Sequence, residues 1–260
     1  MKLTHPRVKP LDPTGENVQI QPRWIGVSLR RYRSSDPPST QELDLAPSIQ
    51  TDVETGRPES LGAIVLCGGE SRRMGKAKPW LDWGSQTLLQ HAVAVLRQVT
   101  SKVVVVAAPG QNLPELPSEV QRLDDPIRYE GPLYGMQIGL EALAETCSHA
   151  FVMGCDSPFI KPAFINEIAG RVGTYEIVVP KDEQFFHPLA AIYKTSLSPR
   201  VLELIQQGKR KPRFLIDQSN TLALDPTQFQ SYDPSGLTLH NLNTPEDYAA
   251  ALQLYQQTQE

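Results

Sequence analysis

One junction constrains the fold of this 260-residue chain more than any other. The apolar run Ala63-Ile64-Val65-Leu66 stops at Gly68-Gly69 and gives way to Arg72, Arg73, Lys76 and Lys78. An apolar run bounded by glycines reads as a buried strand. Two adjacent glycines let the backbone turn sharply and carry no Cβ to hold a ligand away. The N–H groups of such a turn can face an anion. Arg binds phosphate through a planar fork and Lys acts as a point charge. The stretch therefore predicts a strand that ends in a cradle for a nucleotide triphosphate. A glycine turn followed by a merely solvated basic loop is the competing reading. The pattern LxGGxSxRMGxxK is neither the GK[ST] phosphate loop nor the GxGxxG dinucleotide fingerprint.

The residues beyond the cradle fit a parallel sheet. Trp83-Gly84-Ser85 predicts a turn, and Leu88, Leu89, Ala92, Val93, Leu96 and Val99 recur at helical spacing. Val103 to Ala107 is apolar throughout, as expected of a strand covered on both faces. Strand, glycine loop, helix and strand make a βαβ unit whose loop lies at the carboxyl end of the first strand. Open α/β sheets bind ligands there. Further strands are expected at residues 150–154, 176–180 and 187–193. A helix running from Ser198-Pro199 to Gly208 has an N-cap, an N1 proline and a terminal glycine.

Composition narrows the class of protein. A net charge of −4 implies no general attraction to nucleic acid, so phosphate binding rests on local clusters. No apolar run approaches the roughly 18 residues of a membrane span, and the N-terminus lacks the apolar core of a secretory signal. Cys67, Cys147 and Cys155 lack metal-ligand spacing and are odd in number, which reads as reduced thiols in a cytoplasmic protein. Residues 1–60 hold eight of the 23 prolines among polar patches, too little apolar surface for a core. They are expected to form a largely disordered extension ahead of a domain at 61–260. Within them, residues 18–32 have the makings of a short hairpin, and the basic run Arg30 to Arg33 reads as a solvated arm.

Three later segments carry chemistry. Asp156, in Cys155-Asp156-Ser157-Pro158, follows an expected strand on the same edge as the cradle. It either holds a cation that prefers oxygen ligands or caps the next turn. Gly131-Pro132-Leu133-Tyr134-Gly135 is a turn entering a helix, with Gly131 and Gly135 offering close backbone approach to a ligand. In Asn241-Leu242-Asn243-Thr244-Pro245, Thr244 and Pro245 open a helix. The cap leaves both asparagines unexplained; an extended strand would face them the same way.

From Leu61 to its end the sequence resembles the molybdenum cofactor guanylyltransferases, the MobA-like nucleotidyltransferases. The resemblance rests on LxGGxSxRMGxxK, GPLxG, CDxPxI, the segment His187-Pro188 to Tyr193, and NxNTPE. It implies a Rossmann-like three-layer α/β sandwich with a mostly parallel central sheet, of the nucleotide-diphospho-sugar transferase type. It implies transfer of GMP from GTP to Mo-molybdopterin, with Mg²⁺ as cofactor. Leu66, Cys67, Gly68, Gly69, Lys78, Asp125, Gly131, Gly135 and Asp156 would bind GTP. Arg73, Lys78 and Asp156 would be catalytic, with Asp156 on the metal, and His187, Asn241 and Asn243 would form the acceptor or phosphate shell. Asp124 is an equally good neighbour to Asp125 for reading the nucleoside. Implied partners are the two substrates, with transient contact to molybdopterin-delivering proteins or molybdoenzymes. Where the family often has Asn after the second strand, Ala107-Ala108-Pro109 stands here, so a polar contact to the base or ribose is either absent or comes from elsewhere. The alternatives are a related cytidylyl- or sugar-phosphate nucleotidyltransferase, or a non-catalytic nucleotide-binding accessory protein.

Overall fold

A computed structural model describes residues 56–68, 75–126, 131–182 and 184–258. Of the extension expected at 1–60, residues 1–55 with the expected hairpin lie outside the described residues, as do Gly69, Arg72 and Arg73, while Arg57 and Ser60 hydrogen-bond Asn166 and Ser148.

The main sheet is built from β1 (Leu61–Leu66), β4 (Val103–Ala107), β5 (Gln121–Asp124), β6 (His149–Gly154), β7 (Ile177–Pro180), β8 (Ala190–Lys194) and β9 (Thr221–Leu224). These seven strands lie in the order β5-β4-β1-β6-β8-β7-β9. β8 runs antiparallel to both neighbours, and every other pairing is parallel. The two strands passed over in that numbering, β2 (Asp82–Trp83) and β3 (Gln86–Thr87), make a separate hairpin turned at Gly84, whose φ is +62°.

Helices cover both faces, as two-sided apolar strands require. Alternate residues of β1 point to opposite layers. Ala63, Val65 and Cys67 pack with α1 (Leu88–Leu96) and α3 (Pro162–Ala169). Ile64 and Leu66 pack with α2 (Pro132–Leu143), α4 (Ser198–Gln206) and α5 (Arg213–Ile216). α1 is capped by Thr87 and Gln90 in reciprocal hydrogen bonds. The last helix, α6 (Pro245–Gln257), opens with the same device, Thr244 with Asp247, confirming the expected start. Its residues Tyr248, Ala251 and Tyr255 pack on the β2–β3 hairpin around the buried Trp83.

Three expectations shift. β8 begins at Ala190, not His187, because Pro188 and Leu189 still lie in a turn and His187 N–H bonds the Pro180 carbonyl. α4 is capped at Leu197 because a 3-10 turn (Thr195–Leu197) feeds into it, making Ser198 the first helical residue. No strand forms at residues 241–243.

Candidate active site

β1 and β6 are parallel neighbours with Leu66 opposite Gly154, so Gly68 and Asp156 leave the sheet at one edge. The chain runs outward from β1 to β4 and β5, then returns to β6 on the other side. The crevice between β1 and β6 is thus a topological switch point, where such sheets take ligands. There Lys78 Nζ donates to Asp156 Oδ2 at 2.6 Å, with both side chains only about a fifth exposed. Of the residues expected to meet there, Lys78 and Asp156 are brought together; Gly69 and Arg73 lie outside the described residues.

Asp156 stands on a tightly pinned backbone. Cys155 N–H donates to the Leu66 carbonyl at 3.2 Å, and Leu242 N–H donates to the Asp156 carbonyl at 2.9 Å. The buried Ser157 hydroxyl donates to Asn241 Oδ1 at 2.7 Å. His91 on α1 holds the next residue, with Nε2 2.9 Å from the Pro158 carbonyl. A carbonyl only accepts, so that nitrogen carries the proton, and Nδ1 faces Gln86 Nε2 at 3.2 Å. Burial holds the His91 pKa below its ordinary value.

The asparagines do not share one direction, since they sit in a connection and not a strand. Asn241 turns its amide to Ser157, while Asn243 is exposed, its Nδ2 3.5 Å from the Asn241 carbonyl.

In the cradle, Gly68 is exposed and a Cβ built there meets nothing within 4 Å. Among the described residues its bareness serves no internal packing. Leu66 and Cys67 are buried. Burial pushes the Cys67 thiol pKa well up, and its hydrogen bond with Cys155 adds to the shift. Gly135 differs from Gly68. Its Cβ would lie 3.0 Å from Leu66 Cδ2, so this glycine lets α2 settle onto the sheet. Gly131 has φ +96° and would set a Cβ 3.1 Å from the Arg210 carbonyl. Both glycines thus bring protein elements close together, Gly135 α2 onto Leu66 and Gly131 onto the Arg210 carbonyl. Asp124 is paired with Arg122 at 3.0 Å, whereas the Asp125 N–H extends the end of β4 by bonding the Ala107 carbonyl.

His187 makes its side-chain contact with a nearby residue in sequence. Its Nε2 is 3.0 Å from Asp182 Oδ2, and Asp182 Oδ1 accepts the N–H groups of Gln184 and Phe185. Those backbone bonds, with His187, hold the Asp182 carboxyl below its usual range.

Gln111 was invisible to sequence reasoning. Its Oε1 accepts Ala108 N–H at 2.9 Å, and its Nε2 donates to the Cys67 carbonyl at 3.3 Å. Its own carbonyl accepts from Arg122 at 2.8 Å. A polar side chain thus sits at the end of β4 after all, brought back by the turn at Pro109-Gly110, where Gly110 has φ +66°. That turn was the available signal.

Residues 63–222 match the model of the MobA-like NTP transferase domain. The chain belongs to the MobA-like NTP transferase family. A probable molybdenum cofactor guanylyltransferase of Mycobacterium avium is 39% identical over 198 residues, which cover 74% of this chain and 95% of that protein. One of the same name from Mycobacterium tuberculosis is 42% identical over 169 residues, 63% of this chain and 83% of the relative. Among solved structures, molybdopterin-guanine dinucleotide biosynthesis protein A from Archaeoglobus fulgidus superposes with a TM-score of 0.63 at 21% identity. It covers 75% of this chain and 99% of its own. A 2-C-methyl-D-erythritol 4-phosphate cytidylyltransferase from Thermus thermophilus gives 0.58 at 16% identity, covering 76% and 99%. These two likenesses concern the fold. The MobA-like match spans Lys78 and Asp156 and stops before Asn241 and Asn243.

Proposed function

We propose that the protein transfers GMP from GTP to the terminal phosphate of Mo-molybdopterin, giving molybdopterin guanine dinucleotide and diphosphate. The observation that carries this reading is the Lys78–Asp156 pair beside Gly68 at the switch point, in a chain 39% identical to a probable molybdenum cofactor guanylyltransferase. The acceptor phosphate oxygen forms a bond to the α-phosphorus as the bond to the β-phosphate oxygen breaks, and diphosphate leaves with the electron pair. An acceptor phosphate is already ionised, so no strong base is needed, and positioning with charge neutralisation supplies the acceleration.

Mg²⁺ is the cation that fits the donors. Among the described residues no group of three or more His, Cys, Asp or Glu is placed to hold a metal unaided. Magnesium commonly takes one or two carboxylates and fills its shell with substrate phosphates and water. Asp156 supplies one carboxylate, and the bound ion would offset charge on the phosphates. Lys78 now neutralises Asp156. On nucleotide binding its charge passes to the phosphates, joined by Arg73 and by the N–H groups of Gly68 and Gly69. Gln111 fixes the Cys67 carbonyl beside the nucleoside, and Asp125 reads it. His187, Asn241 and Asn243 serve the acceptor side.

The work belongs to the cytoplasm, with transient contact to proteins that deliver molybdopterin or receive the product. Among the described residues no helix is long and apolar enough to cross a membrane. Purified protein with GTP, Mg²⁺ and Mo-molybdopterin should release diphosphate and form the guanine dinucleotide. A preference for CTP would replace this reading with cytidylyl transfer, and no turnover with either nucleotide would leave a binding module.

A further inference from the structure

We propose that Gly154 is a positioning residue for the Asp156 carboxylate: the space its missing side chain leaves is the space that Asp156 Oδ1 occupies. The inference rests on the reading of Asp156 as the metal-holding carboxylate.

A Cβ built on Gly154 would lie 2.4 Å from Asp156 Oδ1, 3.5 Å from its Cγ and 3.9 Å from its backbone nitrogen. The three nearest atoms thus all belong to Asp156. Gly154 does not occupy the left-handed region, so its backbone is one that alanine adopts without strain. Among the described residues packing and conformation supply no other reason for glycine here, unlike Gly62 and Gly139, whose absent Cβ atoms make room for core side chains.

The contact points to function because the backbone cannot yield. Gly154 ends β6 in register with Leu66. Cys155 N–H is tied to the Leu66 carbonyl, the Asp156 carbonyl to Leu242 N–H, and Ser157 to Asn241. A methyl group at 154 must therefore be accommodated by the carboxylate. Oδ1 would swing outward by about 1 Å to reach ordinary van der Waals separation. The same rotation carries Oδ2 away from its 2.6 Å contact with Lys78. Glycine thus lets the carboxylate fold back over the strand end and hold one fixed attitude toward the crevice.

The test is a double-mutant cycle with two readouts. Thermal unfolding is measured for Gly154→Ala in the native background and in Asp156→Ala. A clash confined to the carboxylate makes Gly154→Ala destabilising in the first background and near-neutral in the second. Affinity for the Mn²⁺ complex of GTP, read by the loss of the free Mn²⁺ electron paramagnetic resonance signal, should fall about tenfold in Gly154→Ala. Equal destabilisation in both backgrounds would overturn the proposal. So would unchanged Mn²⁺ affinity in Gly154→Ala alongside a loss in Asp156→Ala. If Asp156→Ala itself leaves Mn²⁺ affinity unchanged, the metal role of Asp156 fails, and the stability cycle still reports the contact alone.

Discussion

The crevice edge at Asp156 and the turn around His187 are built in opposite ways. At the crevice, each group is held by a distant part of the chain: Asp156 by Lys78, Ser157 by Asn241, Pro158 by His91. At the turn, Asp182 binds Gln184, Phe185 and His187, all within five residues. The first arrangement exists only when the whole sheet is folded, and it fixes geometry from several directions. The second forms locally, from a partly exposed pair. A site that must hold a phosphorus centre in line needs the first kind of support, whereas a surface that receives an acceptor can use the second.

Asp156→Asn tests that contrast most severely. The amide keeps the shape of the side chain and loses its charge. Transfer should fall on the order of a thousandfold, with little change in the unfolding temperature because the group is partly exposed. Diphosphate release measures the first quantity and circular dichroism the second. Retained turnover would mean that the crevice edge is not where the chemistry occurs.

Gln111→Leu comes next. It deprives the Ala108 N–H and the Cys67 carbonyl of their side-chain partner, a loss worth about 1–3 kcal/mol for buried groups. If that carbonyl helps to frame the nucleoside, KM for GTP rises about tenfold while kcat is largely kept. A fall in kcat at unchanged KM would place Gln111 with the reacting phosphates.

The smaller expected effect at Gln111 also marks what the sequence concealed. The placement of Gly68 and Asp156 at one edge was legible, because two apolar runs with chemistry at their carboxyl ends become neighbouring strands of a parallel sheet. The cap at Thr244 was legible because it is local. Gln111, the Ser157–Asn241 bond and the role of Gly154 were not, since each depends on a partner with no fixed sequence offset. Gly135 shows the same limit. A glycine in sequence reveals that something comes close, and only the fold reveals that Leu66 is one such neighbour. The spacing of the two asparagines of NxNTPE gives them one direction only in an extended strand, and they belong to the connection that leads into α6.

His187→Ala probes the other side of the comparison. An exposed or half-exposed pair contributes about 0.2–1 kcal/mol. KM for the acceptor should rise by no more than about fivefold, with KM for GTP unchanged. An effect as deep as that of Asp156→Asn would erase the distinction between the two regions and make the turn part of the catalytic machinery.

The mildest test is pH, read on stability and not on turnover. Burial holds both His91 and His149 below the ordinary histidine value of 6.5, so the folded protein favours their neutral forms. For a histidine depressed in this way, the unfolded chain binds more protons between the folded and unfolded pKa values, and stability rises with pH there. The contribution is complete above about 6.5 and is lost as pH falls through the depressed folded-state values. The unfolding temperature should therefore decline on acidification below about pH 6.5. His91→Gln should flatten part of that decline and leave the share due to His149. A decline wholly unaltered by His91→Gln would show that the link between α1 and the Pro158 carbonyl does not depend on a neutral imidazole, and that the crevice edge is held by its other pins alone.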